Sequence, residues 1–382
     1  MNTQQMLRLA RTAWNDPPLA SRALKSRTAS MRYHVPGLLT APPPAVVYVA
    51  VNSRCNLRCR MCDVGLGEAA TPFHDKLAGP GRDMTVDEFR ALVDSTADFA
   101  PLVSITSTEP LLWPGLWDAL EHTARRDMHA ALTTNGALLP RMGRDLVRAG
   151  LRSLSVSLDG PPRIHNAMRG VPNSFQNAVE GLAAVQEEKA RLGRAMPTIT
   201  INCTITPENH ASIAQLMPLL ADIAPDLVIY SHMNFVTEAL SAAHNTLFSH
   251  IGPSRPMCVA GMDPAAVDPA VLTEQFQRIL AAPMGTPFLI TPHVVTREDI
   301  AAYYGEPFTP FGHRTCYVPW KYAQVLADGR LTVLTRCFDV SFGNVFETPL
   351  PRLWNGDAMR AFRAALKEHG HFPACMRCCG MF

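Results

Sequence analysis

Residues 46–62 read VVYVAVNSRCNLRCRMC, an apolar β-branched run that breaks into a loop carrying Cys55, Cys59 and Cys62. The run 46–51 has the length and composition of a buried strand, and Pro42, Pro43 and Pro44 separate it stiffly from what precedes it. The same pattern recurs at 102–106, 130–134, 153–158, 198–204 and 227–231, with helical periodicity between, near 85–99, 113–126, 140–149, 174–192 and 209–222. Alternation of strand and helix requires right-handed crossovers and a parallel sheet. Six such units are too few to close an eight-stranded barrel, so the fold class is α/β: a partial (β/α)6 barrel of TIM type over 45–235, with its site at the C-terminal strand ends.

Around this core the sequence divides into a leader at 1–44, a bridging and covering segment at 236–312, and a small C-terminal α+β domain at 313–382. The bridge reads as irregular apart from helices near 267–282 and 296–304. In the last segment 322–326 and 331–335 flank Asp328-Gly329, a hairpin signal, and a helix near 351–368 leads to the final cysteines. The leader carries Arg8, Arg11, Arg22, Lys25, Arg27 and Arg32 against Asp16. It reads either as a transit peptide or as an amphipathic helix packing Met6, Leu7, Leu9 and Trp14 on the main body.

Composition narrows the function. Hydrophobic residues make up 47% and charged residues 18% of 382, which excludes a disordered polymer. Thirty-five basic against 33 acidic residues leave a net charge of +2, no footprint for nucleic acid. The sequence has no apolar run long enough to span a membrane and no secretory core, so a cytoplasmic location without a membrane partner is expected. Ten cysteines in a reducing compartment point to metal ligation or catalysis. The C-x3-C-x2-C loop can wrap three corners of a [4Fe–4S] cube and leave the fourth iron open to chelate a substrate or cofactor. A structural zinc would more naturally use two C-x2-C pairs and close all four positions.

This segment resembles the cluster loop of the radical S-adenosylmethionine (SAM) enzymes. The resemblance implies an enzyme in which SAM binds the open iron and is reductively cleaved to a 5′-deoxyadenosyl radical that abstracts hydrogen. Ser107-Thr108-Glu109-Pro110 stands where the family usually has Gly-Gly-Glu-Pro, so Glu109 would receive the SAM ammonium. Thr133-Thr134-Asn135-Gly136 and Ser155-Val-Ser157-Leu-Asp159-Gly160 are similar to segments lining the adenosine, with Ser157 and Asp159 as ribose contacts and Asn135 as a neighbour. The string Asp159-Gly-Pro, His165, Arg169-Gly170 resembles the subgroup with auxiliary clusters, where Arg169 would pair with the SAM carboxylate. Cys203 and Cys258 read as small core residues.

Cys316, Cys337 and Cys375-Met-Arg-Cys378-Cys379 supply thiolates for one further [4Fe–4S] cluster, in a layout similar to the SPASM domain or its shortened twitch form. Either Cys378 or Cys379 would complete the set, and four thiolates also satisfy zinc. No acid–base residue is nominated. Of the histidines, His74, His165, His232, His244 and His313 are candidates to line a pocket.

The expected substrate is a small polar metabolite, because a 44-residue leader is short for the peptide-binding domain that peptide maturases carry. A peptide or protein substrate, 3-amino-3-carboxypropyl transfer from SAM, and a non-enzymatic iron–sulfur electron carrier are the alternatives. The family implies a reductase, flavodoxin or ferredoxin as electron donor.

Overall fold

A computed structural model of the chain describes residues 31–67, 71–106, 108–282, 286–312, 315–334 and 336–378. The six expected runs form β1 (Val46–Val49), β2 (Leu102–Ile105), β3 (Ala130–Thr134), β4 (Ser153–Ser157), β5 (Thr198–Ile205) and β6 (Leu227–His232). Three more strands join them: β7 (Phe288–Thr291), β8 (Tyr322–Val325) and β9 (Leu331–Thr332). The nine-stranded sheet runs β7-β6-β5-β4-β3-β2-β1-β8-β9. Neighbours are parallel from β7 through β8, and only β8–β9 is antiparallel. The sheet is the open, partial barrel of an α/β fold.

Alternation along the strands explains its two faces. In β5, Ile199, Ile201, Cys203 and Ile205 are fully buried, while Thr200, Asn202 and Thr204 are half-buried. The apolar set joins the core under the helices, and Thr204 lines the cleft at the strand ends. The helices come in chain order: α1 (Asp63–Leu66), α2 (Pro72–Leu77), α3 (Val86–Asp94), α4 (Leu116–Arg125), α5 (Leu139–Arg148), α6 (Pro162–Arg169) and α7 (Ser174–Arg191). Then follow α8 (Leu216–Leu219), α9 (Glu238–Phe248), α10 (Pro269–Ala281), α11 (Arg297–Gly305), α12 (Val318–Lys321), α13 (Leu350–Trp354) and α14 (Asp357–His369).

The structure departs from the sequence reading in several places. The bridge holds a full helix, α9, and the strand β7, which pairs with β6 from Val228↔Phe288 to Ser231↔Thr291. Four residues between Pro287 and Pro292 are too short a run to announce a strand. The hairpin is also not confined to the C-terminal segment, because β8 lies beside β1 in register Val46↔Tyr322. The helix expected over 209–222 shrinks to a 3-10 turn and α8. There Asn209 turns the chain instead, accepting from the Thr206 amide at 2.7 Å and donating to the Asp159 carbonyl at 2.7 Å. The single helix expected near 351–368 divides at Asn355-Gly356 into α13 and α14.

Of the leader, residues 31–44 pack on the C-terminal segment: Tyr33 meets Tyr317 and Trp320 edge-on, and the Trp354 indole donates to the Pro42 carbonyl at 2.7 Å. Met6, Leu7, Leu9, Trp14 and Thr335 lie outside the described residues.

Candidate active site

The cysteine loop leaves the C-terminal end of β1 and is pinned by backbone. The Arg58 and Arg60 amides donate to the carbonyls of Arg169 (3.2 Å) and Met168 (2.9 Å) at the end of α6. Two glycines permit this closeness. Gly170, at φ +68°, leaves no room for a Cβ, which would stand 2.6 Å from the Arg58 carbonyl oxygen. At Gly65 a Cβ would fall 2.6 Å from the Cys59 amide nitrogen and 2.8 Å from its carbonyl oxygen. Gly65→Ala is therefore expected to displace the loop and lower iron retained after reconstitution while the circular-dichroism spectrum stays unchanged. Iron assay against the parent protein checks this.

Cys55, Cys59 and Cys62 all face one cleft of about 340 Å³ at the strand ends. Burial pushes the Cys59 thiol up to about 11, although Arg169 opposes it, and burial also raises Cys55. The Cys62 thiolate disfavours ionisation of Cys55 and Cys59, and that of Cys55 disfavours Cys59, so a cationic iron core that binds all three relieves the repulsion and displaces their protons. The donor set therefore fits a cube with one open corner. Among the described residues no group of three or more His, Cys, Asp or Glu side chains is arranged to hold a single metal ion. A cube spreads its thiolates further apart than one zinc does.

Glu109 lies fully buried at the start of a 3-10 turn after β2. Its carboxylate accepts from the Leu111 amide (3.0 Å), the Thr134 hydroxyl (2.8 Å) and the Asn135 amide (2.8 Å). Burial outweighs these donors and pushes the carboxyl up to about 7. Asn52, unremarked in the sequence, staples this loop to β1: its amide donates to the Glu109 carbonyl at 2.8 Å, and Thr108 donates to the Asn52 carbonyl at 2.8 Å. Ser107 lies outside the described residues. Asn135 donates to Asn56 Oδ1 at 2.8 Å and approaches the Cys55 sulfur at 3.8 Å.

Asp159 and Arg169 form a buried pair. Arg169 donates to Asp159 Oδ2 through Nε at 2.7 Å and Nη2 at 2.6 Å, while its Nη1 lies 3.7 Å from the Cys59 sulfur. Asp159 Oδ1 accepts from the Thr204 amide at 3.0 Å. Burial works against the Arg169 charge, but Asp159 and Cys59 hold its pKa above the ordinary value. Arg169, Ser157 and Asn135 line the cleft; Glu109 and Asp159 do not. Both acids sit one layer beneath it, and the Asp159 oxygens are turned to Arg169 and the β5 backbone. His165 accepts from the Asp159 amide at 3.1 Å, and burial lowers it to about 4, so the ring is neutral.

The other cleft walls combine apolar side chains, among them Leu57, Met61, Val64, Phe73 and Met233, with polar ones. Hydroxyls of Thr106, Thr133, Thr204, Ser231 and Thr291 come from successive strand ends, and no carboxylate lines the cleft among the described residues. His232 borders it between Tyr304 Oη and the Val294 carbonyl, both at 2.9 Å, and burial lowers it to about 4. His74 and His244 lie elsewhere, and His313 is outside the described residues. Cys203 is buried within β5 and Cys258 is buried in the core, both as expected, and Cys258 also borders the cleft. Arg336 stands at the cleft's edge, 4.3 Å above the Phe73 ring of α2.

The second set gathers from three segments. Cys316, Cys375 and Cys378 line a small apolar cavity of about 20 Å³, and Cys337 is buried nearby. Burial raises the Cys375 thiol, and the negative forms of Cys378 and Cys316 add to the rise. Four thiols in one neighbourhood, three of them buried, fit a fully ligated cluster. Cys379 lies outside the described residues. Between Cys375 and Cys378, Arg377 is buried and donates to the carbonyls of Tyr303 (2.7 Å), Glu306 (2.8 Å) and Thr309 (2.8 Å), tying the C-terminal turn to α11. Lys76 of α2, fully enclosed, donates to the Phe338 carbonyl at 2.7 Å. Burial lowers it to about 8, against Asp339 and Cys337, which raise it.

Comparison with known proteins places these features. Residues 49–220 match the model of the Radical SAM superfamily, and residues 316–379 match that of an iron-sulfur cluster-binding domain, SPASM. The first implies SAM and a [4Fe–4S] cluster as cofactors, and the second an auxiliary iron–sulfur cluster. The chain is 28% identical over 192 residues to an Fe-coproporphyrin III synthase of Methanosarcina barkeri, covering 50% of this chain and 44% of that protein. It is 29% identical over 175 residues to a GTP 3′,8-cyclase of Helicobacter pylori, covering 45% and 50%. It thus spans about half the length of the curated relatives it matches. Among solved structures, SuiB of Streptococcus suis superposes with a TM-score of 0.58 at 14% identity, covering 94% of this chain and 78% of that one. No helix among the described residues is long and apolar enough to cross a membrane.

Proposed function

Because the chain belongs to the radical SAM superfamily and carries a SPASM iron–sulfur domain, we propose that this enzyme cleaves SAM reductively and abstracts hydrogen from a small polar metabolite. The observation that carries the reading is the convergence of Cys55, Cys59 and Cys62 on one cleft with Arg169 in its wall and Glu109 just beneath. When bound, cluster and SAM supply a 5′-deoxyadenosyl radical. The protein's task is to orient and to exclude water. Asp159 fixes the Arg169 guanidinium, whose remaining hydrogens receive the SAM carboxylate, and Ser157 and Asn135 border the nucleoside. Glu109, held by three donors, attracts the ammonium.

The hydroxyl-lined, carboxylate-free cleft suits a substrate with polar groups and no ammonium of its own. A peptide substrate is the second reading, favoured by fold neighbours of which one is bound to the precursor peptide SuiA. Cys316, Cys337, Cys375 and either Cys378 or Cys379 would hold the auxiliary cluster, and a flavodoxin, ferredoxin or reductase would supply the electron.

The test is anaerobic: protein reconstituted with iron and sulfide, reduced with dithionite and given SAM should release 5′-deoxyadenosine. Methylthioadenosine instead would mark 3-amino-3-carboxypropyl transfer, and neither product would mark an electron carrier.

Glu109 adds a pH dependence. With its carboxyl near 7 in the ligand-free chain, SAM binding should tighten as pH rises from about 6 to about 8, because only the carboxylate attracts the ammonium. Stability moves the other way: the raised pKa stabilises the ligand-free fold below the ordinary value of 4.5, and this is lost as pH rises through about 7. Equilibrium dialysis with wild type and Glu109→Gln checks both the slope and its disappearance.

A further inference from the structure

Lys76 has no part in SAM binding, yet it is one of the most enclosed charged side chains in the molecule, 2% exposed. An ammonium taken out of water costs several kcal/mol unless nearby groups compensate it. Its hydrogen bond to the Phe338 carbonyl supplies part of that compensation. The charged surroundings supply the rest: Asp339, Cys337 and Cys378 favour its positive form, and Arg330 opposes it. Two of those three favourable groups are proposed ligands of the auxiliary cluster. We infer that Lys76 is the buried counter-cation of that cluster, a positioning residue that holds the Cys337 loop and makes the cluster easier to reduce.

The inference rests on the auxiliary-cluster reading above and goes beyond it. Helix α2 touches the loop at two points: Phe73 lies under Arg336 at 4.3 Å, and Lys76 grips the Phe338 carbonyl at 2.7 Å. From the other side, Ser254 donates to the Cys337 carbonyl at 2.6 Å, and the Asp339 amide donates to the Pro253 carbonyl at 3.0 Å. The loop is thus clamped, with the ammonium fixed to the residue next to Cys337. A four-thiolate [4Fe–4S] cluster carries two negative charges when oxidised and three after it gains one electron. A fixed cation in a low-dielectric site stabilises the second state more than the first. Because α2 follows the first cysteine loop with only the short α1 between them, this stretch ties the SAM site to the second cluster.

The experiment places Lys76→Met and Lys76→Arg in a Cys55/Cys59/Cys62→Ala background, so that only the auxiliary cluster contributes an EPR signal. Each protein is reconstituted, assayed for iron and zinc, and titrated with dithionite in the presence of redox mediators. With equal iron contents, Lys76→Met should shift the midpoint to more negative potential and Lys76→Arg should stay with the parent. Loss of iron from Lys76→Met alone also supports a counter-cation. An unshifted midpoint in Lys76→Met overturns the inference, as does equal loss of iron from both variants, which marks packing rather than charge. Zinc in place of iron in the parent would overturn the auxiliary-cluster reading itself, a result distinguishable from either of these.

Discussion

Replacing Cys55, Cys59 and Cys62 together by alanine is expected to lower reconstituted iron from about eight to about four atoms per chain and to reduce 5′-deoxyadenosine to background. The effect is large because all three donors sit in one loop and neither isolated cysteine, Cys203 or Cys258, can replace them. Cys203 is enclosed in the apolar face of β5, where burial raises its thiol well above the ordinary range. Cys258 borders the cleft, and burial by itself again favours its neutral thiol. The fold should survive. The loop's position depends on backbone bonds from Arg58 and Arg60 to the end of α6, which alanine leaves in place. Four remaining irons would then report the second site alone. One zinc with four irons in the parent protein would instead give the C-terminal cysteines a structural zinc.

What the sequence disclosed and what it hid follow from range. The cysteine loop is local: three thiols within eight residues must be neighbours wherever the chain goes. The βα alternation is nearly as local, and all six strands begin where the patterning placed them, with β1, β2 and β4 ending a residue or two early and β5 and β6 running one residue further. Pairings across the chain left no comparable trace. Nothing in Tyr322–Val325 says that it lies beside Val46–Val49, almost three hundred residues earlier. Lys76 likewise reads as an ordinary surface lysine on a short helix, and only the fold delivers the Phe338 carbonyl to it. Asp159 is the instructive intermediate case. Its neighbourhood was legible from Asp159-Gly-Pro, His165 and Arg169, but its depth was not, because burial depends on Thr204 of the next strand reaching its second oxygen. A motif thus groups side chains that the fold brings together while leaving open which of them border the cleft and which lie beneath it.

That layering leads to the second large effect. Asp159→Ala should destabilise the protein by about 3–5 kcal/mol, because it strands the Arg169 guanidinium in a site almost closed to water. A surface ion pair such as Arg125–Glu121 should by comparison be worth at most about 1 kcal/mol. The double variant Asp159→Ala/Arg169→Met should recover much of the loss, since it leaves no unpaired charge behind, and urea unfolding of the four proteins completes the cycle. Ligand binding should respond differently. Arg169→Met alone removes a charge-assisted partner for the SAM carboxylate, worth about 1.5–3 kcal/mol, and should weaken SAM binding roughly 10- to 100-fold. The double variant should be no better at binding SAM, even though it is more stable than Asp159→Ala. If stability and SAM affinity instead recover together, Arg169 serves the fold and not the ligand. If affinity stays low while stability returns, the guanidinium faces SAM and Asp159 acts through it, as expected of an acid whose oxygens are occupied one layer below the cleft.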